Sequence, residues 1–133
     1  MLNPFPHLLV YGFFAPTLLR VAVALGFLLM SWRFFNTRKE TAKVRMPLIG
    51  APGVGLVLFA SAVDLAIGLM LLVGWETQIA ALLGAIVSLK HAWLAGRWPS
   101  WSPRSRSVYI FMAVICLALM LTGAGALAMD LPL

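Results

Sequence analysis

GVGLVLFASAVDLAIGLMLLV, residues 53–73, decides how the rest of the chain is read. As a helix rising about 1.5 Å per residue it reaches about 30 Å, the thickness of a bilayer's hydrocarbon core. Asp64 is its one charged residue, and it contains no proline. Gly74 stops the run, and GWET turns the chain back into a second apolar run over 77–93. Upstream, a first span is expected over 17–35, with Pro16 at its first turn, where a missing N–H costs little. Downstream, a fourth is expected over 108–128, ending near Gly123 and Gly125. Before Pro16 lies the apolar stretch HLLVYGFFA, residues 7–15, too short to cross a membrane. It reads either as an interfacial helix joined to the first span at Pro16 or as the start of a single longer, kinked helix.

Composition supports the same picture. Of 133 residues, 62% are hydrophobic and 11% charged, against about a quarter charged in a soluble domain. A domain this small cannot bury that much apolar surface from water. The expectation is therefore an all-α integral membrane four-helix bundle, with a short N-terminal interfacial helix, as one domain over 1–133. MLNPFPH lacks the basic start of a secretory signal, so the first span is expected to remain as a helix.

The net charge of +6 sits where lipid headgroups would want it. Every Lys and Arg except Arg20 lies in or beside two connections. One carries Arg33, Arg38, Lys39, Lys43 and Arg45; the other carries Lys90, Arg97, Arg104 and Arg106. They form no continuous basic face of the kind nucleic acid requires, so no nucleic-acid partner is expected. With four spans both connections share one side, which the positive-inside rule makes cytoplasmic. The expected topology has connections 33–52 and 90–107 inside and both termini outside, with Glu76 and Asp130. Trp32, Trp93, Trp98 and Trp101 fall at the basic side and Trp75 at the other, as headgroup-level anchors.

Asp64 is the group that does not belong in lipid. A lone carboxylate at mid-span costs about 2.5–3.5 kcal/mol even on the lenient insertion scale. Ala60, Asp64 and Gly68 share a helical face with Ser61 beside them, a small-residue face suited to close helix contact. Arg20, on a stripe with Ala24 and Ser31, is its expected partner, directly or through water. His91 is a secondary candidate: it turns toward the interior stripe Ala80, Gly84, Ser88 and Ala92 of the third span. Lys90 points elsewhere and should snorkel to the headgroups. Cys116, between Met112 and Met120, reads as a soft packing stripe.

Other sites are excluded or unsupported. His7 and His91 fall on opposite sides and cannot share one haem within a chain. One cysteine allows neither an internal disulfide nor a redox pair. No dinucleotide-binding motif or metal-ligand cluster is present, so no metal is expected. A quinone held between helices, or a carrier on a partner protein, is what remains for redox chemistry.

Several stretches together resemble the DoxX family of small bacterial and archaeal membrane proteins. LIGAPGVGLVLFASAVDLAIGLMLLVGWETQIAALLGAIV, residues 48–87, is similar to that family's second and third spans. LTGAGALAMD, residues 121–130, resembles its closing Gly-x-Gly and terminal Asp. FFAPTLLRVAVALGF, residues 13–27, resembles its opening, with Arg20 at the arginine position. Asp64 departs from the usual glutamate and reaches one methylene less far. The resemblance implies a four-helix bundle in the cytoplasmic (inner) membrane and a link to sulfur or oxidative-stress metabolism, through a quinone-linked oxidoreductase complex in which the chain is subunit or anchor. In that expectation Arg20 steadies a quinone oxygen or a sulfur oxyanion and Asp64 exchanges a proton. Partners would be membrane lipid and other redox proteins or further copies of the chain. Two alternatives stand beside it: a non-catalytic assembly or interaction protein recruiting partners through its basic segments, and a small proton-coupled exporter.

Overall fold

The computed structural model describes residues 11–44, 50, 52–99, 102, 104–125 and 127–129. It is all-helical among these residues: α1 (Ala15–Asn36), a one-turn α2 (Arg38–Thr41), α3 (Val54–Val73), α4 (Thr77–Arg97) and α5 (Arg106–Thr122). Three helices are long and apolar enough to cross a membrane: Tyr11–Asn36, Val54–Val73 and Thr77–Arg97. The chain is a membrane protein.

Local sequence explains each boundary. Residues 11–14 form a 3₁₀ turn running straight into α1, and a proline occupies the first α-helical turn. The described part of the expected interfacial helix is thus continuous with the first span; residues 7–10 lie outside the described residues, as do His7, Arg45, Trp101 and Asp130. Gly74 closes α3 in the left-handed conformation (φ 74°), its N–H and that of Trp75 both bonding the Met70 carbonyl. Glycine holds that φ without steric cost. The third span extends past the expected Trp93 to Arg97, where the Trp98 N–H caps Leu94 and Pro99 follows.

The fourth span is the correction. It was expected to reach 128, but α5 ends at Thr122, because Gly123 (φ 78°), Gly125 (φ 70°) and Leu127 (φ 60°) all leave the helical region. At 17 residues it reaches about 25 Å. The segment after it folds back over the bundle: the Met129 N–H bonds the Gly74 carbonyl at 3.1 Å.

The helices close into a ring. α1 packs most extensively on α3 and α4 on α5, while α3–α4 and α1–α5 complete the circle. One end, the basic end, carries Arg33, Arg38, Lys39, Lys43, Arg97, Arg104 and Arg106; the far end carries Gly74 and the start of α1. Large apolar side chains such as Phe59, Phe111 and Leu29 face outward, and the interior is lined by alanines, Phe27, Val57 and Leu119. That is a bundle whose outer solvent is hydrocarbon. As expected, Ala80, Gly84, Ser88 and Ala92 all turn inward and Lys90 is exposed.

Gly84 lets α4 approach its neighbours. A Cβ there would stand 3.0 Å from the Cys116 sulfur and 3.2 Å from the Phe27 ring. Gly84→Val should therefore cost about 1–3 kcal/mol by overpacking, read as a lowered Tm in detergent. Gly55→Val, where a Cβ meets nothing within 4 Å, should leave Tm nearly unchanged. Equal effects would refute this account of the packing.

Candidate intramembrane polar site

The site begins with two serines. The Ser31 hydroxyl donates to the Ser61 carbonyl at 2.8 Å, and the Ser61 hydroxyl donates to the Ser31 carbonyl at 2.9 Å. This reciprocal clasp ties α1 to α3 one turn below Asp64. Each serine answers a helix carbonyl that already has its intrahelical partner, so both hydroxyls are satisfied without water. With α1 locked there, Asp64 can only face the interior.

Asp64 is 0% exposed. Neither of its oxygens has a hydrogen-bond partner among the described residues. Its ionisable neighbour is His91, with Nε2 3.9 Å from Oδ2. The imidazole is itself 1% exposed and firmly held. Its Nδ1 lies 2.9 Å from the Val87 carbonyl, one turn back on α4. A carbonyl only accepts, so Nδ1 carries the hydrogen and Nε2 is the atom turned to the carboxyl group. Tyr109 stacks on one side of the ring at 5.4 Å, and the Phe34 ring lies 5.5 Å away. Ser88, one turn from His91 on α4, is fully buried, and its hydroxyl has no partner among the described residues. Counting outward from the tight turn that joins α3 to α4 puts Ser88 within about 3 Å of the depth of Asp64.

Chemically, Asp64 and His91 are an ionisable pair, too far apart for a direct hydrogen bond but close enough for the charge of one to act on the other. Carboxylic acid with neutral imidazole, and carboxylate with imidazolium, both leave the pair neutral overall. Attraction between the charged forms, about 4 kcal/mol at this separation for an effective dielectric of about 20, offsets part of the cost of burying both ions.

Arg20 does not join them. It is 2% exposed, but its guanidinium extends to the far end of the bundle. There Nη1 donates to the Ala124 carbonyl at 3.1 Å and Nη2 to the Leu127 carbonyl at 3.0 Å. The same guanidinium lies against Gly74, at a spot any Cβ would occupy. Gly74 is about 15 Å along α3 from Asp64 by residue count. The expected Arg20–Asp64 pair is therefore not formed. The reason is the early end of α5: the non-helical segment after Thr122 offers carbonyls with no helical partner, and a long cationic side chain runs outward to meet them. Arg20 fastens the C-terminal segment, and the helix clasp belongs to the serines.

Cys116 packs its sulfur against Gly84, in keeping with a packing role. Among the described residues no group of three His, Cys, Asp or Glu is placed to hold a metal ion. Compared with protein-family models, with curated proteins and with solved structures, the chain matched none.

The clasp and the fastening give separable outcomes. In a double-mutant cycle, Ser31→Ala and Ser61→Ala should couple by about 0.5–1.5 kcal/mol, measured by reversible unfolding in mixed micelles; strict additivity would show that the two hydroxyls act independently. Arg20→Met should leave the helical content intact while segment 123–129 is cut faster in limited proteolysis. Unchanged cleavage would mean the guanidinium does not hold that segment.

Proposed function

We propose that this chain is a DoxX-like subunit of a quinone-linked oxidoreductase complex in the cytoplasmic membrane, its basic end inside, where Asp64 and His91 hold and pass on one proton. The observation that carries this is the carboxyl group at mid-bundle, its oxygens unbonded among the described residues, facing a histidine nitrogen of fixed tautomer at 3.9 Å. An ionisable residue inside a membrane is costly, and where it is not consumed by a structural bond its cost points to function. Here the structural bonds are made by other residues: Ser31 with Ser61, and Arg20 with the C-terminal segment.

The polar atoms left over suit a quinone headgroup. Asp64 and Ser88 present oxygens without partners among the described residues, the kind of atoms that bond a carbonyl or hydroxyl. A quinone, when bound, supplies a carrier that takes up electrons and protons together, the electrons coming from a redox partner protein. The chain's own part is the proton. His91 Nε2 accepts it from the basic end, Asp64 Oδ2 receives it from Nε2, and the Val87 carbonyl keeps the ring in register for the next one. Arg20, expected to steady the substrate, instead serves the fold.

Asp64→Asn keeps size and polarity but cannot shuttle a proton. In membranes carrying the chain with its partners, quinone-dependent turnover should fall roughly 10²-fold or more, with assembly of the complex unchanged on native gels. Wild-type turnover in Asp64→Asn would remove the proton role. A mild-detergent pull-down that brings down neither a redox protein nor a quinone would remove the complex.

A further inference from the structure

The polar groups around Asp64 are arranged on one side of it. Toward the basic end come Ser61 and Ser31, then His91, then Tyr109, whose hydroxyl is hydrogen-bonded with Ser102 at 2.9 Å. Ser102 also donates to the Arg104 carbonyl at 3.1 Å, and Arg104 is exposed. Toward the far end the described residues offer only the buried Thr17 and Thr77 side chains, at the outer ends of α1 and α4. From Leu65 to Val73 α3 is apolar throughout, and Ile67, Leu71, Val23, Phe27, Ala81 and Leu119 are buried around that stretch. Beyond this layer stands the Arg20 guanidinium, clamped beneath the C-terminal segment.

From this asymmetry we infer that the Asp64–His91 pair exchanges protons with the basic side alone, and that Arg20 with its apolar layer forms the seal against the other side. The inference rests on the proton-handling reading above and gives it a direction. A hydrated proton approaching from the far end meets a fixed cation and then about 15 Å in which the described residues offer no carboxyl group or imidazole to carry it. Positive groups of this kind exclude protons from membrane pores. From the basic end it meets Ser102, the Tyr109 hydroxyl and then an imidazole. The titratable groups nearest the pair are Tyr109 and Cys116 from α5; of the charged ones, Lys90 of α4 is exposed near the basic end and Arg20 of α1 stands at the far end. At the far end Arg20 is the buried charge, and the carboxylate there, Glu76 in the α3–α4 turn, is exposed. Net transfer across the membrane then cannot pass through this pair: a proton that enters from the basic side leaves to a bound acceptor or returns.

The test uses the intact chain in liposomes of known orientation. Asp64 and Asp130 are its two aspartates, so carboxyl-¹³C aspartate with Asp130→Asn leaves Asp64 as the one labelled carboxyl group. Infrared spectra are followed while each compartment is acidified in turn. Acid on the basic side should convert the labelled carboxylate band to the carboxylic acid band, and the same step on the far side should leave the spectrum unchanged. A response to the far side would overturn the seal while leaving proton handling intact. A band that responds to neither side would overturn the inference together with the reading beneath it.

Discussion

Hydrocarbon cannot hydrogen-bond, and that constraint decides which face of each helix turns inward. In water, leucines would be driven to the core and polar side chains left outside. In lipid the leucines are at home on the surface, and polar side chains need partners within the bundle. Ser61 and Asp64 orient α3, Ser88 and His91 orient α4, and Ser31 and Arg20 orient α1. Tyr109 does the same for α5, its ring against His91 and its hydroxyl against Ser102. The apolar interior then fills with small side chains and a few aromatic rings.

Two buried charges of opposite sign would ordinarily be expected to find each other, since separate burial costs more. They do not, because each has a nearer solution. Arg20 has carbonyls of a broken helix end, and Asp64 has an imidazole that can become its counter-ion or its proton acceptor. This separation bears on the rival readings. A proton-coupled exporter must open its carboxyl group to both sides in turn, whereas polar residues here extend from Asp64 in one direction. An interaction protein would need only the exposed basic residues at one end, and the polar pair inside would then have no task.

The fold was readable because its signals are long. Residues 53–73 and 77–93 announce themselves by length and lack of charge, and the structure places α3 and α4 within a few residues of those bounds. The C-terminal limit was harder. Gly123 and Gly125 read as the close of a span reaching 128, but paired glycines admit positive φ, and α5 stops at the first of them. The site was half readable. Asp64 and Arg20 stand out by chemistry, but residue spacing does not say that the arginine side chain runs outward to the carbonyls of a broken helix end and not inward to a carboxyl group. His91 reads from its register as turned to the interior stripe, and counting from the turn at Gly74 puts Ser88 level with Asp64 and His91 one turn beyond. Knowing which of two neighbouring helices a side chain leans toward required the packing itself.

The ring of helices is uneven in height. α3 has 20 residues and α5 has 17, a difference of about 4–5 Å along the axis. Where α5 crosses the bilayer beside the longer helices, lipid must compress to match it, at a cost of a fraction of a kcal/mol per ångström of mismatch. The annulus around the molecule is then lopsided, thinner on the α5 flank. The elastic cost of holding the molecule falls on one flank of the bundle instead of being spread evenly around it.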